Sequence, residues 1–129
     1  MNTHHFRTPL GRVRGLGSAR SGTGHFWHQR VTAVSNVPLV IAFVLILVSL
    51  LGRSHAAVVQ ILGSPLVATV MLLFIASITY HMRLGMQMII EDYLHDEKWK
   101  IAAVIANTFF AIAVASAAIY ALLKLSFGV

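Results

Sequence analysis

Two long stretches of this chain carry no charged residue, and they limit its possible folds more than any other feature. The first runs from Val31 to Leu51 and has 21 residues, and the second runs from Ile101 to Leu123 and has 23. A helix needs roughly 20 apolar residues to cross a bilayer. Only 11% of the chain is charged, whereas about 25% is usual in a soluble domain. The sequence therefore predicts an integral membrane protein.

A third apolar segment begins at Pro65, a residue that suits the first turn of a helix. Backbone polar groups inside lipid must bond to one another, so only helices and closed barrels span membranes. Runs of this length exclude barrel strands, which are shorter and alternate in polarity. The predicted fold is therefore an all-α membrane protein with three transmembrane helices, over about residues 31–51, 65–90 and 100–125.

Residues 1–30 are predicted to form a basic tail at the inner face. No short apolar segment with a small-residue cleavage site follows it, so we expect it to be retained. Its arginines, serines and lack of acids leave a transit peptide as the alternative. The tail and the connector 91–100 together hold seven Lys and Arg, against two on the other side, which places the N-terminus inside. This clustering indicates a cytoplasmic flank and argues against a nucleic-acid partner.

His81 lies inside the second predicted membrane helix, ten residues before Glu91. At 1.5 Å per residue this places it about 15 Å deep, in the inner half or near the middle of the bilayer. Two explanations stand: a neutral histidine bonded to a neighbouring helix, or an axial ligand of a haem iron. Gly85, Met88 and Asp92 share its helix face. Gly85 would leave a notch, either for a flat macrocycle or for close helix contact.

The other histidines lie at other depths, so a second histidine ligand would have to come from another chain. The chain has no cysteine, which excludes disulfides and iron–sulfur ligation by this protein. Arg83 lies on the opposite side of the helix from His81. A charge at this depth is costly, so Arg83 either snorkels to the inner surface or pairs with a partner subunit or a cofactor. Tyr93 alone would be an ordinary interfacial tyrosine.

The pattern H-x3-G-x6-D-Y, formed here by His81, Gly85, Asp92 and Tyr93, resembles the small cytochrome b membrane anchor of succinate dehydrogenase, in its alphaproteobacterial form. The stretch 25-HFWHQRVTAV-34 is also similar to the entry of that family into its first helix. The resemblance covers the chain from about residue 24 to its end.

The resemblance implies a role for four residues. His81 would be one axial ligand of a haem b whose other ligand belongs to the larger cytochrome b anchor subunit. Tyr93 would hydrogen-bond a ubiquinone carbonyl, and Asp92 would support that site. Arg30 would lie near the haem propionates or the quinone pocket.

The resemblance also implies partners and a location. The iron–sulfur and flavoprotein subunits would dock on the inner face, and the chain would not be catalytic alone. It would lie in the bacterial cell inner membrane, or in the equivalent mitochondrial inner membrane. Two alternatives stay open: the anchor of a quinol:fumarate reductase, and a haem-free transport or assembly subunit in which His81 and Arg83 relay protons or ions.

Overall fold

The structure of the protein is a computed structural model that describes residues 8–15 and 23–128. Throughout these ranges the secondary structure is helical, which confirms the predicted all-α class. The five helices run over the following residues: α1 Pro9–Val13, α2 Thr23–Leu50, α3 His55–Leu62, α4 Pro65–Tyr93 and α5 Glu97–Phe127. The rest of the predicted basic tail, residues 1–7 and 16–22, lies outside the described residues.

Three of these helices, α2, α4 and α5, are long and apolar enough to cross a membrane, as predicted. They contain 28, 29 and 31 residues, so each is roughly 42–47 Å long, which exceeds the hydrocarbon core of about 30 Å. Helix α2 begins at Thr23, eight residues before the charge-free run. Each membrane span is therefore only part of its helix, and the limits of the spans stay a prediction.

Residues at the helix ends explain where α4 and α5 begin. Asp96 is the N-cap of α5 and accepts hydrogen bonds from the backbone N–H groups of Lys98 and Trp99. Pro65 opens α4, because a proline in the first turn loses no helical hydrogen bond. With only three residues between α4 and α5, the two helices pack side by side in opposite directions. We call this end of the bundle, around residues 94–96, the loop end.

Helix α4 is the central helix, because it packs along both α2 and α5. The buried apolar side chains among the described residues are few: Ala68, Leu84, Ile90, Ala111 and Leu122. Most other large apolar side chains face outward. The three long helices thus bury little of their own surface against one another.

Gly63 marks the point where the turn between α3 and α4 meets the end of α5. A Cβ atom on Gly63 would lie 3.0 Å from the carbonyl oxygen of Val59 and 3.3 Å from that of Leu125. We expect Gly63→Val to lower the stability of the bundle by about 1–3 kcal/mol, because backbone atoms must move to admit the side chain. Thermal unfolding in detergent measures this change. Gly24→Val is the control, since a Cβ atom there meets nothing within 4 Å; equal melting of the two variants would contradict the prediction.

Candidate functional site

Polar side chains line the interface between α2 and α4, and we call this interface the polar seam. The Oγ atoms of Ser35 and Ser77 lie 2.8 Å apart. Closer to the loop end, His28 Nδ1 lies 2.8 Å from the hydroxyl oxygen of Tyr80. The seam arises because polar residues recur on one face of α2 at spacings of four, three and four: His25, Gln29, Thr32 and Asn36.

His81 follows Tyr80 on α4 and is half-buried in the seam, where it meets the part of α2 between His28 and Ser35. Its Nδ1 atom is 2.9 Å from Thr32 Oγ1. Its Nε2 atom is 3.5 Å from the amide nitrogen of Gln29, which is the outer limit of a hydrogen bond. The ring is therefore held firmly at one nitrogen and only weakly at the other.

Three polar atoms along this face of α2 are buried without a hydrogen-bond partner. They are Nε2 of His25, Oε1 of Gln29 and Oδ1 of Asn36, and of these side chains Gln29 is the one that contacts His81. Gly85 gives the Gln29 amide its space, because a Cβ atom on Gly85 would lie 3.4 Å from Gln29 Nε2. Buried polar atoms without partners are unusual in a complete structure. The seam therefore offers further hydrogen-bonding capacity beside His81.

Asp92 and Tyr93 lie in the last turn of α4, at the loop end. Both side chains are exposed, and Tyr93 exposes 75% of its surface. They follow His81 by 11 and 12 residues, or about 17–18 Å along the helix axis. Within this chain, the predicted quinone residues thus lie near one another and well apart from the predicted haem ligand.

Arg30 lies on a different face of α2 from Gln29 and Thr32. Its guanidinium carbon is 4.9 Å from the centre of the Phe26 ring, which is a cation–π contact. It lines a shallow outward groove together with Trp27, Val31 and Val34. This chain by itself does not bring Arg30 to His81, so a role beside the haem or the quinone stays a prediction.

Arg83 faces α5 and has partners within its own chain, which the sequence did not predict. Its Nε atom donates to Thr108 Oγ1 at 3.3 Å. The side-chain amide of Asn107 donates to the backbone carbonyl of Arg83 at 2.9 Å. These contacts join α4 to α5 near the level at which His81 joins α4 to α2. The guanidinium is half-buried between helices and needs no snorkelling to find a polar neighbour.

Three neighbours of the site, Gln29, Thr32 and Tyr80, were not predicted from the sequence. A signal for Gln29 and Thr32 was present, because they belong to the regular polar stripe on an otherwise apolar α2. That stripe predicts a buried helix contact. It does not say which helix supplies the partner.

Comparison with known proteins places the chain in a family. The family model described as succinate dehydrogenase/fumarate reductase transmembrane subunit matches residues 4–115. The chain belongs to this family. The resemblance found in the His81–Tyr93 motif is therefore confirmed at the level of the whole chain. No solved structure matches the chain with significance.

Curated members of the family resemble the chain over most of its length. A succinate dehydrogenase hydrophobic membrane anchor subunit from Paracoccus denitrificans is 34% identical over 121 residues, covering 94% of this chain and 93% of the relative. A protein of the same name from Rickettsia bellii is 33% identical over 113 residues, covering 85% and 88%. A succinate dehydrogenase membrane anchor subunit from Reclinomonas americana is 32% identical over 88 residues, covering 66% and 73%. With its three apolar helices, this family member is a multi-pass integral membrane protein.

Proposed function

We propose that the chain is the small membrane anchor subunit of a succinate:ubiquinone oxidoreductase. The main support for this proposal is the similarity to an anchor subunit of succinate dehydrogenase, which covers 94% of this chain and 93% of the relative. The family model covers both succinate dehydrogenase and fumarate reductase, but the curated relatives carry only the first name. Succinate oxidation is therefore favoured over a quinol:fumarate reductase. The chain contributes binding groups and an anchor, while the chemistry belongs to cofactors and partner subunits.

The residues around His81 fit a haem b shared with the larger cytochrome b anchor subunit. Thr32 already occupies Nδ1, which leaves Nε2 as the nitrogen for iron. The Gln29 side chain beside it has a buried Oε1 atom without a hydrogen-bond partner, which is a further polar group at this position. His81 would be one axial ligand, and the larger anchor subunit would supply the other, as the resemblance to the family implies. When bound, the haem would accept and release single electrons.

Tyr93 and Asp92 are the proposed ubiquinone residues. A phenol is a hydrogen-bond donor, and a quinone carbonyl oxygen is an acceptor. The exposed Tyr93 hydroxyl at the loop end can donate to a ring that sits against the bundle. The Asp92 carboxylate, on the neighbouring position, would hold or pass on a proton during reduction. Arg30 would enter this region only if the larger anchor subunit packs against its outward face of α2.

The loop end is the proposed docking side for the iron–sulfur subunit, with the flavoprotein subunit beyond it. The connector and the adjacent helix ends hold all four acids of the chain: Glu91, Asp92, Asp96 and Glu97. The basic tail would lie on the same side, which the positive-inside rule makes the cytoplasmic side of a bacterial inner membrane. Mixed charge of both signs suits a polar protein interface rather than lipid.

Purification of the tagged chain from detergent-solubilised membranes tests this function. We expect the flavoprotein, the iron–sulfur subunit and the larger anchor subunit to co-purify, with a b-type band in the reduced-minus-oxidised spectrum and succinate-driven quinone reduction. Absence of the flavoprotein and iron–sulfur subunits would overturn the proposal. If these two subunits co-purify but the spectrum has no b-type band, the chain is an anchor subunit in which His81 has only a structural role. The ratio of succinate oxidation to fumarate reduction decides the direction.

A further inference from the structure

We propose that Thr32 is the positioning residue for His81, fixing the imidazole tautomer and the strength of the bond to haem iron. This inference rests on the proposed function, since it concerns how the same site is held. Thr32 belongs to α2 and His81 to α4, so the contact also fixes the rotation of one helix against the other. Of these two residues, His81 belongs to the H-x3-G-x6-D-Y motif of α4, whereas Thr32 lies outside that motif.

The Thr32 hydroxyl has a single proton, and the backbone takes it. Thr32 Oγ1 lies 2.8 Å from the carbonyl oxygen of His28 and 3.1 Å from that of Gln29. Both carbonyls are acceptors only, so the hydroxyl donates to them, in the bond that threonine commonly makes within a helix. The oxygen can then meet His81 Nδ1 at 2.9 Å only as an acceptor. In this arrangement His81 carries its proton on Nδ1.

The second neighbour of the ring is compatible with the same tautomer. The Gln29 amide nitrogen, a donor, is directed at His81 Nε2. A donor is satisfied there only if Nε2 presents a lone pair. With the proton on Nδ1, the Nε2 lone pair faces the Gln29 amide at 3.5 Å, and iron would take this position once the amide turns aside. Neutral histidine with one nitrogen hydrogen-bonded and the other bare is the form that binds metals.

The Thr32 contact would also tune the ligand. Donation of the Nδ1 proton to an oxygen makes the imidazole a more basic ligand, and loss of such a partner typically lowers metal affinity by about 10–100-fold. A more basic ligand favours ferric over ferrous iron. Loss of the hydroxyl should therefore weaken ferric haem binding more than ferrous binding and raise the midpoint potential of the haem.

The test compares Thr32→Val with Thr32→Ser in the purified complex. Valine has nearly the shape of threonine but cannot accept a hydrogen bond, whereas serine keeps the hydroxyl. We expect Thr32→Val to lose haem affinity about tenfold or more. If the loss is tenfold greater for ferric haem, the midpoint potential rises by about 59 mV. Thr32→Ser should restore both quantities. Thr69→Val is the control, because the Thr69 hydroxyl bonds within α4, to the carbonyl of Pro65.

Each outcome decides the inference. Wild-type haem content and potential in Thr32→Val would overturn it. Equal haem loss in the valine and serine variants would also overturn it, since packing and not the hydroxyl would then be responsible. Loss in valine with recovery in serine would support it, whether the loss appears as haem content or as potential. A wild-type complex without any b-type band would instead overturn the proposed haem site, and this inference with it.

Discussion

His81→Ala is expected to remove haem b from the assembled complex while leaving the three membrane helices in place. The imidazole supplies half of the proposed axial pair, so its loss should exceed the roughly 10–100-fold fall in affinity caused by removing a hydrogen-bonding partner of a ligand. The fold should tolerate the change, because His81 is only half-buried and its two α2 contacts are polar rather than part of the apolar core. Haem per mole of purified complex, measured from the absorbance spectrum, gives the result.

His55→Ala is a matched control, since His55 is exposed at the start of α3, at the opposite end of the bundle. Its haem content should equal that of the wild type. Co-purification of the flavoprotein subunit must accompany both measurements, so that haem loss is separated from failed assembly. If the His81→Ala complex assembles with its full haem content, His81 is not an iron ligand but a structural histidine of the polar seam.

Tyr93→Phe is expected to slow quinone reduction about tenfold while leaving the oxidation of succinate by an artificial dye unchanged. The change deletes one hydroxyl that is proposed to donate to a quinone carbonyl, and a hydrogen bond at an acceptor that gains charge is worth about 1.5 kcal/mol or more. The fold should not be affected, because Tyr93 exposes 75% of its surface in the last turn of α4. Parallel assays with ubiquinone and with the dye separate the two electron routes.

Tyr120→Phe provides the control for this experiment. Tyr120 is also a largely exposed helical tyrosine, at 68%, but it lies near the far end of α5. The Tyr120→Phe variant should match the wild type in both ubiquinone reduction and dye-coupled succinate oxidation. If Tyr93→Phe loses the dye-coupled activity as well, docking of the iron–sulfur subunit has failed; if it loses neither, Tyr93 is an interfacial tyrosine without a part in quinone binding.

The membrane class, the number of long helices and the family were predictable from the chain alone. Transfer of a segment into lipid depends on its own length and composition, so the charge-free runs were sufficient evidence. The helix start at Pro65 depends on neighbours within a few residues, and it was also predicted. The family followed from a motif confined to a single helix, from His81 to Tyr93.

The partners of the buried polar groups could not be predicted in this way. The sequence indicated that His81 and Arg83 point in opposite directions, but each could have met lipid, a neighbouring subunit or a cofactor. The structure shows Thr32 and Gln29 of α2 beside His81, and Thr108 of α5 beside Arg83. These residues are 25 to 52 positions away along the chain.

The order of residues was thus enough to establish three helices of membrane-spanning length, one of which carries a histidine at depth. Only the packed bundle shows which ring nitrogen of that histidine is hydrogen-bonded and which helix supplies the partner. The reason is that insertion into lipid is a property of each segment, whereas hydrogen bonds between helices depend on how the segments are rotated and offset against each other. That arrangement follows from the packing of all three helices together.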